Sequence, residues 1–293
     1  MKSKDALATL AELTAAQWGM VTSAQAAAHG VTRLSLSRLT ESGNLVRLAH
    51  GVYRDAGAPS GTFADVRAAW LSSEPSRLAS DRLSDGHRGI VVSGETAAWI
   101  HDIGDLRSNR TELSAPVRRQ TQRADLHYRW REFDETDVTI REGLPVTTVE
   151  RTIADLVEGR TDLSVVANAL REAILRSELD LARLAENLAP LARRNGHSKD
   201  DGAALVDELL AIAGLDQETI ASQIAALDGV GALVARHYLV HTAKATQSTP
   251  FAVPAQTTQP ALAAQLRAFD WLRLAQISTT PEASKTLPSE AGP

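Results

Sequence analysis

The chain of 293 residues contains no cysteine. That excludes disulfides, thiolate metal sites and cysteine nucleophiles, and it fits a reducing compartment. No run approaches the roughly 18 apolar residues that would span a bilayer, so no membrane partner is expected. The amino terminus MKSKDALATLAEL places Asp5 and Glu12 inside its apolar stretch, which is not the pattern of a signal peptide, and a cytoplasmic location is expected. The patterns GxxxxGK[ST], GxGxxG and GxSxG are all missing, so nucleotide cofactors and an elbow serine have no motif support, and no cofactor is expected.

Clustered metal ligands are missing too. The histidines are scattered, and His237 and His241, four apart, lack the surrounding HExxH pattern. His101-Asp102 and the pair Asp85 and His87 are chance neighbours of structural kind. A nuclease of restriction-endonuclease type places an acidic residue before a strand carrying Glu-x-Lys. Asp105 does precede Glu112-Leu113-Ser114, but serine stands where lysine is needed, so the order of elements survives without the chemistry. The chain is expected not to be an enzyme.

What is present is 43% hydrophobic residues, enough to bury more than one core, and a charge of -5 that is unevenly spread. In residues 1 to 60, Lys2, Lys4, Arg33, Arg38, Arg47 and Arg54 oppose Asp5, Glu12, Glu41 and Asp55, leaving that segment at +2 and the remainder at -7. A mildly acidic protein can bind nucleic acid through one locally positive face.

That segment is patterned as two short helices followed by a tight two-stranded ribbon, the layout of a winged helix-turn-helix. Leu7, Leu10, Ala11 and Leu13 form the stripe of a preceding helix. Met20 to Thr22 make a strand, Ser23 caps a helix to about His29, Gly30-Val31 turns, and Thr32 caps a second helix to about Ser42. Gly43-Asn44 stops it. Leu45 to Ala49 and Val52 to Arg54 are the ribbon, with its tip at His50-Gly51. Leu36 and Leu39 face the core with Val31, which leaves Arg33, Ser37 and Thr40 on another face. Arginine can fork onto guanine, and serine or threonine hydroxyls can meet base edges or phosphate. The expected DNA-contacting residues are Thr32, Arg33, Ser35, Ser37, Arg38 and Thr40 on the helix, with Arg47, His50, Tyr53 and Arg54 on the wing. The competing reading takes these arginines as ordinary solvated charges.

A second basic stretch carries Arg118, Arg119, Arg123, Arg129 and Arg131. Alternation puts His127, Arg129 and Arg131 on one strand face and Leu126, Tyr128 and Trp130 on the other. It can serve phosphate, an acidic protein partner, or simply solvent.

The expected fold class is α+β: a winged helix-turn-helix domain over residues 1–55, a mixed α/β and then helical domain over 56–241, and an extended arm, final helix and disordered tail over 242–293. Within the middle part the pattern gives a helix from Phe63 capped by Thr62, another over Ser76 to Leu83, short strands from Ile90 to Thr148, and amphipathic helices thereafter.

Three segments together resemble the antitoxin and regulator family of the abortive infection E systems, often called type IV toxin-antitoxin. They are LSRLTESGNLVRLAHGVYR, SGETAAWIHDIG and GLPVTTVERTIADL, and the resemblance covers roughly residues 10 to 175. In the last, Arg151 and Asp155 are spaced for an intrahelical pair. The resemblance implies a repressor that binds inverted repeats of double-stranded DNA in its own promoter, as monomer or dimer, and counteracts a nucleotidyltransferase-like toxin directly or indirectly. The alternative is a protein-interaction module without specific DNA binding.

Overall fold

The computed structural model describes residues 3–107, 109–176, 179–216 and 219. Apart from residue 219, the helix expected over residues 218–226, the arm, the final helix, the tail, and His237 with His241 lie outside the described residues.

The amino-terminal segment folds as α1 (Ser3–Ala15), β1 (Met20–Thr22), α2 (Ser23–Ala28), α3 (Arg33–Glu41), β2 (Leu45–Ala49) and β3 (Val52–Asp55). Its strands form an antiparallel sheet in the order β1-β3-β2. Ala6, Leu10 and Leu13 of α1 close over Val21, Ala26, Val31, Leu36, Leu39 and Leu45, so the expected leucine seam of α3 is buried. The cap of α2 falls one residue earlier than its sequence suggests. Thr22, not Ser23, accepts from the Gln25 amide at 3.1 Å, and Gln25 Oε1 accepts from the Thr22 amide at 2.9 Å. Ser23 is already helical, and its amide donates to Gly51 O instead. Thr32 caps α3 as expected, accepting from the Ser35 amide at 3.2 Å. Gly43, at φ +75°, ends that helix by supplying the left-handed turn that a side chain disfavours.

A loop leads to α4 (Ala64–Ser73) and α5 (Ala79–Leu83). Then come β4 (Val91–Val92), α6 (Gly94–His101), β5 (Thr111–Ala115), β6 (Leu126–Trp130), β7 (Val138–Arg141) and β8 (Leu144–Thr147). Four further helices follow: α7 (Val149–Glu158), α8 (Leu163–Leu175), α9 (Leu181–Leu188) and α10 (Gly202–Ile212). The five strands form one mixed sheet, β6-β5-β4-β8-β7, parallel at β5/β6 and β4/β8. Two boundaries differ from expectation. Phe63, not Thr62, is the cap position of α4 and makes no side-chain cap bond, and α5 starts only at Ala79. The residues just before α5 are held by the amino-terminal segment, as described below, and that tie keeps them out of the helix.

The two sheet faces differ. Val92, Leu113, Ala115, Leu126, Leu144 and Val146 pack with Trp70 and Leu71 of α4, in a core that also takes in Met20 and Val52. The helices α7 to α10 share a further core around Ile153, Leu170, Leu188 and Leu209. On the α7 side of the sheet, the buried Ser93, Glu112, Ser114 and Thr147 are polar.

The amino-terminal segment is pinned to the rest of the chain by buried polar contacts. Gln17 Nε2 donates to Gln25 Oε1 at 2.7 Å, Gln25 Nε2 donates to Arg77 O at 2.7 Å, and Gln17 Oε1 accepts from the Ala79 amide at 3.1 Å. Thr22 Oγ1 donates to Pro75 O. Trp18 lies edge-on to Trp70, with the Arg67 guanidinium 5.3 Å from its ring centre. Gly143, at φ +76°, lies so close that a Cβ there would sit 2.9 Å from the Trp18 indole nitrogen. These bonds would all have to break for the segment to swing, so it is a fixed mount for α3.

Candidate nucleic-acid interface

The outward stripe of α3 consists of Leu34, Ser37, Arg38 and Glu41, all exposed, at i, i+3, i+4 and i+7. Arg33 is exposed on the flank of that stripe. Among the described residues, Arg33 and Arg38 have no carboxylate partner. The hydroxyls of this helix are largely committed to the helix itself. Thr32 Oγ1 caps Ser35 and lies 3.0 Å from Ser35 Oγ, Ser37 Oγ donates to Glu41 Oε1 at 3.0 Å, and Thr40 Oγ1 donates to Leu36 O at 2.9 Å. Thr40 is half-buried and turns toward the seam, so it does not join Ser37 on the outward face.

The hairpin adds Arg47 and His50, both exposed, with Arg47 Nη2 3.4 Å from His50 Nδ1. Alternation along β2 puts Arg47 on the side of buried Leu45, the side against which α3 packs. Tyr53 and Arg54 are placed differently from expectation. Tyr53 packs against the core under α1, and Arg54 has Nε and Nη1 buried without a hydrogen-bond partner in the protein. The physical reason is that both faces of β3 are covered, one by α1 and the other by α4. The structure therefore gathers Arg33, Arg38, Arg47 and His50 on the surface of this segment. It also adds one residue the sequence reading passed over, Leu34, which is 60% exposed. The signal was available in the spacing of Leu34 from Ser37 and Arg38, opposite Leu36 and Leu39.

The second basic stretch turns inward. Arg119 pairs with Glu74 at 3.0 Å and donates to Ser73 O at 2.8 Å. Arg123 pairs with Asp125 at 2.5 Å and donates to Ser72 Oγ at 2.8 Å, so both arginines grip the carboxyl end of α4, where cations are favoured. Arg129 pairs with Glu112 at 3.3 Å, and Arg131 pairs with Glu158. Arg118 is exposed and has no carboxylate partner among the described residues. Of the three hydrophobic residues expected to share a face, Leu126 is buried and Tyr128 half-buried, but Trp130 is 71% exposed, its indole donating to Pro116 O at 3.0 Å. It ends an edge strand, beyond the reach of the core.

Behind Arg129 and Arg131 lies a buried ionic cluster. Arg151 chelates Asp155 Oδ1 through Nε at 3.0 Å and Nη2 at 2.9 Å, the intrahelical pair that the spacing predicts. Burial raises the pKa of Asp155, against the opposing pull of Arg151, Arg131 and Arg129. Burial also raises that of Glu112, opposed by Arg129 and reinforced by Glu95 and Asp155. Gly94, at φ +58°, allows the Glu112 carboxylate to lie against the start of α6, because a Cβ there would fall 2.0 Å from Oε2. Asp105 sits in an exposed loop and is not among the charges that act on Glu112. His101 Nε2 lies 2.7 Å from Thr147 O in the core, and Asp85 pairs with Arg77.

A second ionic cluster surrounds Glu74, which meets Arg77, Arg82 and Arg119 at 3.5, 3.1 and 3.0 Å. Arg82 is buried, with its guanidinium 3.6 Å from the Trp70 ring centre, and burial lowers its pKa to about 10. Among the described residues, no group of three or more His, Cys, Asp or Glu is placed to hold a metal ion, and no helix is long and apolar enough to cross a membrane.

Comparison with known proteins bears on the exposed surface. Residues 9–54 match the family model described as transcriptional regulator, AbiEi antitoxin. The segments SGETAAWIHDIG and GLPVTTVERTIADL lie beyond that match. No curated protein matches the chain. Among solved structures, the RV2827C protein from Mycobacterium tuberculosis is similar at 15% identity, covering 72% of this chain and 78% of that one, with a TM-score of 0.45. The matched residues hold α2, α3 and the β2–β3 hairpin, and with them every residue of the exposed cationic surface. Residues 9–54 of this chain are thus similar to the family of AbiEi antitoxin transcriptional regulators.

Proposed function

We propose that the chain is a DNA-binding antitoxin of a type IV-like toxin-antitoxin system. In this reading residues 1–55 are a winged helix-turn-helix that recognises inverted repeats in the chain's own promoter and represses the operon, and the protein counteracts a nucleotidyltransferase-like toxin in the cytoplasm. The observation that carries it is the exposed surface of α3, where Arg33 and Arg38 meet no carboxylate among the described residues, inside the segment that matches the regulator family. An unpaired arginine keeps its full donor fork for guanine or phosphate, whereas one held by a carboxylate must first break that pair. The fixed mount of the segment supports the reading, because a rigid reader loses little freedom on docking.

In this reading one or two copies engage half-sites about one helical turn, or a multiple of it, apart. No catalytic step is included. Serine stands at position 114 where a nuclease of the type considered needs lysine, and Glu112 is tied to Arg129.

The test is titration of the full chain against the duplex immediately upstream of its own coding region and against a scrambled duplex, in about 0.15 M salt. A preference of roughly a hundredfold or more for the upstream duplex is expected. Equal, weak binding to both duplexes would overturn the reading and favour a protein-interaction module.

A further inference from the structure

We propose that Leu34 reads a thymine: its side chain meets the C5-methyl group of that base in the major groove, adding to each half-site a specificity that the arginines do not supply. The inference rests on the reading of α3 as the helix that enters the groove.

Leu34 is the most exposed large hydrophobic residue of the amino-terminal segment, at 60%. It belongs to the first turn of α3, and in helix-turn-helix docking the first residues of the reader helix meet base edges. At 3.6 residues per turn it points about 170° away from the middle of the buried Leu36–Leu39 seam, so it occupies the centre of the outward stripe. A helix that enters the groove by this stripe carries Leu34 deepest, with Arg38 and Ser37 beside it one turn on.

Chemistry narrows what a leucine can meet there. It neither donates nor accepts hydrogen bonds, so it gains nothing from phosphate or from the donor and acceptor atoms of guanine, cytosine and adenine. The apolar group that the major groove offers is the thymine methyl. Contact between the two removes apolar surface from water on both sides, and the free protein leaves that surface exposed.

The experiment removes the methyl group and nothing else. Duplexes enriched by the full-length protein from a random-sequence pool supply the binding site, and each thymine in it is then replaced in turn by deoxyuridine. Wild type and Leu34→Ala are titrated against every duplex, with their thermal unfolding compared to show that both are folded. At one thymine in each half-site, loss of the methyl is expected to weaken wild-type binding roughly fourfold, the worth of one buried methyl group, and to leave Leu34→Ala unaffected. A wild-type protein indifferent to every replacement, or two proteins equally sensitive to the same one, would overturn the inference while leaving DNA reading intact. A pool that yields no enriched sequence would sink the DNA reading, and this inference with it.

Discussion

On α3 and the β2–β3 hairpin, Arg33, Arg38 and Arg47 are exposed and meet no carboxylate among the described residues. Between residues 118 and 131, by contrast, Arg119, Arg123, Arg129 and Arg131 are each held by a carboxylate. The second stretch is the denser in arginine, yet its charge is spent on fastening loops and strands to α4 and α7. Charge density along a sequence therefore does not tell which arginines stand clear of a carboxylate; the fold decides that. Exposed pairs contribute little to stability, whereas a partly buried pair becomes costly once one partner is removed. Substitutions in the two regions should consequently act on different observables.

The largest effect is expected at Glu74. Replacing it by Gln leaves the buried Arg82 without its counter-charge and loosens Arg77 and Arg119, at a cost of about 3 kcal/mol in urea unfolding. Binding to DNA under conditions where the variant is folded should be unchanged. A loss below about 1 kcal/mol would mean that the Trp70 ring, together with the hydrogen bonds to Trp70 O and Ser73 Oγ, sustains Arg82 without Glu74. Next comes Arg38→Ala, for which specific binding should weaken by about 1 to 3 kcal/mol while stability changes by no more than about 0.5 kcal/mol. Unfolding and binding curves recorded on the same sample separate the two.

Within the second stretch the contrast sharpens. Arg118→Ala should leave stability within about 0.5 kcal/mol of wild type, and Arg123→Ala, which forfeits Ser72 and Asp125, should cost about 1 kcal/mol. If Arg118 proved the more destabilising, the distinction between paired and unpaired arginines would fail.

The smallest expected effect concerns pH. Glu112 and Asp155 have raised pKa values in the fold, so their contribution to stability is fully present below the ordinary carboxylate value and is lost as pH rises through the raised values. Asp85 and Asp125 are lowered by hydrogen bonds from Arg77 and Arg123. Their contribution is present above the ordinary carboxylate value and is lost as pH falls. Glu112→Gln should therefore lose less stability than wild type as pH climbs from the carboxylate range toward neutrality. Parallel stability-pH curves for the two proteins would contradict the assignment.

Much of the amino-terminal segment was legible because its signals are local. The Leu36–Leu39 spacing, Thr32 as a cap, Gly43 as a stop and the alternation of the hairpin each involve residues within a few positions of one another. The Arg151–Asp155 pair was legible for the same reason. The placement of Tyr53 and Arg54 was not, since it depends on α1 and α4 packing on the two faces of β3, and α1 lies far back along the chain. The partners of the second arginine stretch were equally hidden. Glu74 and Glu158 lie far along the chain from Arg119 and Arg131, and strand order alone brings them together. The shift of the α2 cap to Thr22 has a local cause, the capping box with Gln25, but Ser23 is as good a cap by type and only geometry separates them. Leu34 was overlooked because attention to donors and cations passes over an apolar residue on a polar face.

Under the proposed function, the exposed arginines of α3, and not the paired ones of residues 118–131, carry sequence-specific binding. The most direct measurement compares wild type, Arg33→Ala with Arg38→Ala, and Arg119→Ala with Arg123→Ala on the upstream and scrambled duplexes in about 0.15 M salt. The prediction is that the first double variant loses its preference while keeping its unfolding temperature, and that the second keeps its preference while melting earlier. Loss of preference in the second variant alone would contradict it.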